Sequence, residues 1–334
     1  MKLTKTVVAV AVTGLFAVPM AASAETTLSG LAQIKFQGSD ADGDAGELNM
    51  AAGDVRVAIN TQQEIAGGLT GYGNLQFNID DLTGQGGPVQ ASDEDDPQED
   101  QDPIEIDSNA TVASDNIYVG VKGGFGDIRL GEIPLAVEYG QLANDIYDVG
   151  DTVVDGISYV GAFGPFGIGV NYALEQDSDM AGIGAKFSAA GVTFGIGYEL
   201  RDLAGDESGN LAAGLSFAIA GFSIAGHYWV KEGPDGELTV DPDDSEEGDQ
   251  QSLSVKVDYG IAGVNLGLTY SLLTTDITNL DDEADESSIR LDAGYDMGGG
   301  MDISTRITST DNDPIRDGVD SDLVEYRVQL TKNF

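Results

Sequence analysis

From residue 25 onward the chain repeats a unit of about ten residues in which apolar and polar side chains alternate. Val55, Val57 and Ile59 interleave with Arg56, Ala58 and Asn60; Leu75, Phe77 and Ile79 interleave with Asn74, Gln76 and Asn78. A period of two belongs to a β-strand with one apolar and one polar face. The pattern predicts sixteen strands, near 27–36, 54–65, 69–80, 116–122, 127–133, 152–163, 166–174, 181–189, 192–200, 209–219, 222–231, 251–260, 263–275, 287–297, 301–309 and 323–334.

The connections alternate strictly between two kinds. Seven are short and mostly glycine-bearing, at 66–68, 123–126, 164–167, 190–191, 220–221, 261–262 and 298–300. Glycine permits the positive φ of tight hairpins. Eight are longer and polar, at 37–53, 81–115, 134–151, 175–180, 201–208, 232–250, 276–286 and 310–322. An even number of two-faced strands with short turns at one end and long loops at the other predicts an all-β fold. It is a sixteen-stranded antiparallel transmembrane β-barrel, with short periplasmic turns and long extracellular loops. Lipid requires every backbone group to be paired, which a closed barrel provides and an open sheet does not. A soluble sandwich would alternate too, but not with this turn and loop asymmetry.

Charge sharpens the picture. The chain has 58 Asp plus Glu against 15 Lys plus Arg, for a net −43. Of the 58 acids, 45 fall in the eight long loops and none in the seven short turns. One end of the barrel is therefore anionic, and nucleic acid, which needs basic patches, is excluded as a partner. Charge of this density suits a salty habitat, where screening is short-ranged.

The first 24 residues read differently. Lys2 and Lys5 precede an apolar stretch from Val7 to Val18, then Pro19 and Ala22-Ser23-Ala24. This is the pattern of a secretory signal, and it leaves 25–334 as one barrel domain carrying −45.

Little enzymatic chemistry is available. With no Cys and a single His there is no disulfide framework, no Cys/His zinc site and no cysteine nucleophile. His227 alternates within a strand and lacks triad partners, so a wall position is expected for it; Trp229 and scattered Tyr residues fit interfacial girdles. The pairs Gly182-Ile183-Gly184 and Gly195-Ile196-Gly197 reach no third glycine at nucleotide-binding spacing. The acidic runs 93–102 and 241–249 read as solvated charge, and Asp40-Ala41-Asp42-Gly43-Asp44 fails as a calcium loop because Ala45 and Ala51 stand where Gly and Glu are needed. No metal site and no cofactor are expected.

Three stretches carry a resemblance. They are Gly53-Asp54-Val55-Arg56-Val57, the segment Ile65 to Gly73, and Ile117 to Gly131 with its core Val119-Gly120-Val121-Lys122-Gly123-Gly124-Phe125-Gly126. The chain also ends on an aromatic, Phe334, after an alternating strand. In these features it resembles the Gram-negative general diffusion porins, sixteen-stranded trimeric barrels of the outer membrane. The resemblance implies a homotrimer in outer-membrane lipid and lipopolysaccharide, passing small hydrophilic solutes and cations. It also implies a third long loop, about 134–151, folded into the barrel as a constriction. That loop offers Glu138, Asp145, Asp148 and Asp151, facing wall bases drawn from Lys35, Arg56, Lys122 and Arg129.

Two departures stand out. Glu132 occupies a position where relatives often carry Arg, and Thr152-Val153-Val154-Asp155-Gly156 lacks another such base. The basic side of the constriction is accordingly expected to be depleted, and the pore to prefer cations, as carboxylate rings do. The alternative is a non-transporting acidic surface barrel, an adhesin or structural anchor.

Overall fold

The computed structural model describes residues 25–41, 44–45, 49–65, 67–80, 111–143, 146–147, 154–174, 178–203, 206–232, 249–277, 282–313 and 321–334. The signal segment 1–24, the acidic run 93–102, the run 241–249 up to residue 248, and Asp145, Asp148 and Asp151 lie outside the described residues.

The alternating segments form sixteen long strands and one two-residue strand. In chain order they are β1 (Glu25–Ala41), β2 (Asp44–Ala45), β3 (Asn49–Ile65), β4 (Leu69–Asp80), β5 (Thr111–Gly123), β6 (Gly126–Ile133), β7 (Val154–Phe163) and β8 (Phe166–Leu174). They continue as β9 (Ser178–Ala189), β10 (Val192–Leu203), β11 (Asp206–Ile219), β12 (Phe222–Lys231), β13 (Asp249–Ile261), β14 (Val264–Ile277), β15 (Asp282–Gly298), β16 (Met301–Asp313) and β17 (Ser321–Asn333). Each long strand pairs antiparallel with the next, and β17 returns to β1 in a register from Leu31 opposite Asn333 to Ala41 opposite Leu323. The ring is closed, and no long edge is left for lipid to meet.

Alternation sorts the faces. Leu266, Leu268, Ile289, Leu291, Ile303 and Ile307 are exposed on the outside, while Ser252, Ser254, Thr269, Ser271 and Ser288 are buried inside. Ser254 donates to Ser271 Oγ across the ladder at 2.7 Å. A protein solvated by water would show the reverse. Here lipid is the outer solvent.

The short turns use positive φ as expected. Three of them pair Ala with Gly, at Ala190-Gly191, Ala220-Gly221 and Ala262-Gly263, with both residues left-handed (φ 50° to 52° for Ala, 80° to 86° for Gly). That is the mirror-image turn whose twist matches a hairpin. At the other end the strands outrun the expectation: β15 begins at Asp282 rather than near 287, and β1 continues to Ala41 rather than near 36. Ladder pairing persists there, with Ala284 opposite Thr275, where hydrophobic alternation has already faded. Backbone hydrogen bonds do not need an apolar face.

After β6 the chain turns inward. Residues Ala136–Tyr139 form one 3₁₀ turn that packs against β8, β9, β10 and β11 from inside the barrel. Ile133, Leu135, Val137, Ala173, Met180, Ala212 and Trp229 make an apolar cluster there, with Tyr147 and Leu273 against it. The hydrophobic core among the described residues is thus a cushion beneath an inward segment, not the centre of the barrel.

Candidate functional site

The site is the lumen, and its shape begins with missing side chains. Gly182 and Gly184 on β9, Gly195 and Gly197 on β10, and Gly214 on β11 share the inward face. A Cβ on Gly197 would meet the carbonyl oxygens of Ala136 and Val137 at 2.5 Å; one on Gly195 would fall on the carbonyl of Tyr139, and one on Gly214 on that of Gly140. The wall here is bare backbone, which lets the inward segment lie flat on it.

Side chains then fasten it. Asn171 Oδ1 accepts the amide of Ala136 at 2.7 Å, and His227 Nδ1 accepts that of Ala143 at 3.2 Å. The indole of Trp229 donates to the carbonyl of Tyr147 at 3.0 Å. The Tyr147 hydroxyl donates to Glu286 at 2.6 Å and lies 3.0 Å from Ser288 Oγ. The segment is therefore strung along the wall from β8 to β15. Burial pushes the Tyr139 phenol above its ordinary value, so it stays neutral. A cavity of about 540 Å3 opens beside the segment, lined among others by Glu138, Tyr139, Gln141, Ser158 and Lys186. Lys186 Nζ stands 5.0 Å from the centre of the Tyr139 ring.

Half the ring away from this seat, around the junction of β17 and β1, the wall carries charge instead. Asp54 holds Lys35 at 3.5 Å and Arg56 at 3.2 Å. Asp292 holds Arg290 at 3.2 Å and Arg306 at 2.7 Å, and Lys256 pairs with Asp258 at 3.2 Å. Register and alternation put every described base beyond residue 24 on the lumen face except Lys332, which binds the Gly299 carbonyl at a turn. Charge in lipid is costly, and the barrel keeps its cations for the water side.

The residues singled out from sequence separate into groups. Lys35 and Arg56 meet at Asp54. Lys122 and Arg129 line the lumen apart from them, Lys122 Nζ 5.3 Å from the Tyr72 ring and Arg129 4.0 Å from the Tyr118 ring, with Tyr72 hydrogen-bonded to Asp127. Glu138 sits on the inward turn. Glu132 points away from Arg129 and Gly131, and its Oε2 accepts the Ile117 amide at 2.7 Å, beside the left-handed Asn116. Asp145, Asp148 and Asp151 are not described.

One expectation needs correction, and one set of wall bases was overlooked: Arg290, Arg306 and Arg327 on β15, β16 and β17 add cations to the lumen face at a distance from the two bases missing on β6 and β7. Trp229 does not join an interfacial girdle: it is 2% exposed and faces inward, and its neighbour Tyr228 faces lipid. The expected wall position of His227 agrees with the structure, where it anchors the inward segment. Arg306 and Arg327 were legible by the parity argument used for Arg56, since apolar Ile307, Tyr326 and Val328 flank them.

Closed barrel, polar lumen and inward segment together define a membrane channel. The chain belongs to the Gram-negative porins, whose family model matches residues 7–315. It is 23% identical over 298 residues to a monosaccharide porin of Halomonas sp, covering 83% of this chain and 72% of that protein. Among solved structures it resembles the trimer form of OmpT from Vibrio cholerae (14% identity, 93% and 100% of the two chains, TM-score 0.67). It also resembles an anion-selective porin of Comamonas acidovorans (15%, 93% and 100%, TM-score 0.66). The protein is thus an outer-membrane porin, a non-enzymatic channel for passive diffusion.

Proposed function

We propose that the channel is a weakly selective diffusion pore that prefers cations, and that its preference is set at the acidic mouth rather than on the wall. The observation that carries this reading is the unequal distribution of charge. Wall acids Asp54, Asp258 and Asp292 are each paired with bases, whereas 45 of the 58 acids fall in the eight long polar segments of the sequence, in the connections and the strand ends that flank them. A field from so many like charges concentrates cations and repels anions before either reaches the narrow part. It is also screened within about 8 Å at 0.15 M salt and 3 Å at 1 M. Cation preference should therefore be strong in dilute salt and fade in concentrated salt. The test is the reversal potential of purified channels in a planar bilayer under a KCl gradient, at low and high mean concentration; anion preference in dilute KCl would overturn the reading.

The remaining parts follow from the same reading. Residues 1–24 are a cleaved secretory signal, 25–334 form one domain, and 134–151 with Glu138, Asp145, Asp148 and Asp151 constrict the pore against Lys35, Arg56, Lys122, Arg129 and the added arginines. Small hydrophilic solutes pass, monosaccharides among them, as the name of the Halomonas relative suggests. The assembly is a homotrimer, like the OmpT form it resembles; loss of a slow-migrating band on heating before electrophoresis tests this. The acidic loops bridge to lipopolysaccharide phosphates through cations of the medium.

A further inference from the structure

We propose that the β16–β17 wall carries a binding subsite for small hydroxylated carboxylates, the sugar-acid class of solute, built on Arg306 and Arg327. The proposal rests on the lumen being a conducting pore and adds a place where one kind of solute pauses in it.

Arg306 and Arg327 stand directly opposite one another in the ladder. Like charges at opposed positions destabilise a strand pair. The chain has 58 acids against 15 bases, so a carboxylate between them would have been easy to supply. Instead Arg306 reaches Asp292 through Nε alone, at 2.7 Å, and shares that carboxylate with Arg290. The Arg327 side chain makes no ion pair and no hydrogen bond among the described residues. The two guanidinium groups line a cavity of about 320 Å3 open to the lumen. Paired guanidinium forks match a carboxylate in shape and charge better than any neutral group does.

The rest of the cavity narrows the ligand further. Gln37, Ser39 and Thr308 supply an amide and two hydroxyls, and Glu325 supplies a carboxylate. Glu325 repels a second negative charge and accepts from a hydroxyl. One carboxylate at the arginines and hydroxyls toward the remaining groups describe a sugar acid, not a dicarboxylate or inorganic anion.

The experiment is conductance of the native channel in a planar bilayer, in KCl of fixed ionic strength, with potassium gluconate added to one side. Gluconate should lower the KCl conductance along a saturating curve, while glucose at the same concentrations should not. Arg327→Gln should weaken the apparent gluconate affinity about tenfold or more, the loss expected for one charge-assisted contact. Lys332→Gln, which lies off the lumen, should leave it unchanged. The double variant Ser39→Ala with Thr308→Val keeps both guanidinium groups and should lose the preference for gluconate over acetate. Channels that pass KCl but show no saturation with gluconate overturn the subsite and leave the porin reading intact, whereas preparations that pass no KCl at all count against the pore itself. An unchanged affinity in Arg327→Gln, or an unchanged gluconate-to-acetate preference in the double variant, also overturns the assignment.

Discussion

The two sides of the lumen solve opposite problems with the same alternating strands. On β8 to β11 the inward positions are mostly small, several of them glycine, and protein occupies the space: the turn Ala136–Tyr139 lies on bare backbone and covers an apolar cushion. Around β15, β16, β17, β1 and β3 the inward positions carry long charged side chains that pair with one another. The first arc is stabilised by burial and by hydrogen bonds sheltered from solvent. The second gains little stability from its exposed pairs and shapes the field instead. Volume at one lumen position in two therefore decides where the pore narrows, while charge at the matching positions shapes the local field along the wall.

The comparison breaks most visibly at Trp229, the largest fully buried side chain of the described residues. Trp229→Ala should lower the stability of the barrel by about 3 to 5 kcal/mol, the usual cost of such a cavity, and free the carbonyl of Tyr147. Denaturant unfolding followed by gel mobility measures it, and single-channel conductance should rise. Next comes the glycine floor. Gly197→Val should cost about 1 to 3 kcal/mol through overpacking and push the segment off its seat, raising the size limit in liposome swelling. An unaltered size limit would show that the segment does not constrict.

On the charged arc, Asp54→Asn should change stability by less than about 1 kcal/mol, since its pairs with Lys35 and Arg56 are partly exposed, and should move the reversal potential only slightly toward anions. A large stability loss with no change in selectivity would dissolve the distinction between the arcs. The smallest effect belongs outside both, at the hairpin turns. Ala220 holds φ 50°, a conformation that Asn tolerates better than Ala, so Ala220→Asn should raise stability by about 0.5 to 1 kcal/mol without altering conductance.

Most of the barrel was legible because lipid imposes the pattern. Val55 to Asn60 can be read by eye, and the strand, its two faces and its short turn all follow. Strand ends were less legible: Asp282 to Asp285 stand in register with β14, yet the run carries none of the apolar alternation that marks a strand. The loop seat was visible only as an anomaly. Gly182, Gly184, Gly195 and Gly197 look like weak strand residues until a second layer of chain lies on them, and no local rule announces a contact with residues 136–140. Trp229 shows the cost of reading a residue type before its parity. As an aromatic it suggested an interface, yet Tyr228 next to it already claimed the lipid side. The arginines were misjudged for a related reason. Two missing bases on β6 and β7 were noticed, whereas the bases on β15 to β17 belong to the same lumen only once the ring closes.

That closure has a consequence for how the molecule is made. Every pair of long strands but one joins successive long strands of the chain, and many of those need only a short turn; the pair of β1 with β17 alone joins the two ends of the barrel, residues 31–41 with 323–333. Chain entropy makes that the most expensive contact to close, although the cost grows only slowly with length. The seam is expected to zip last, with Phe334 and Gly30 exchanging both backbone hydrogen bonds at 2.8 and 3.1 Å as its final stitch. A chain that stops before Ser321 would keep nearly all of its hairpins and still present two open edges to the membrane. The last fourteen residues thus work less as one more wall stave than as the clasp that makes a sheet into a vessel.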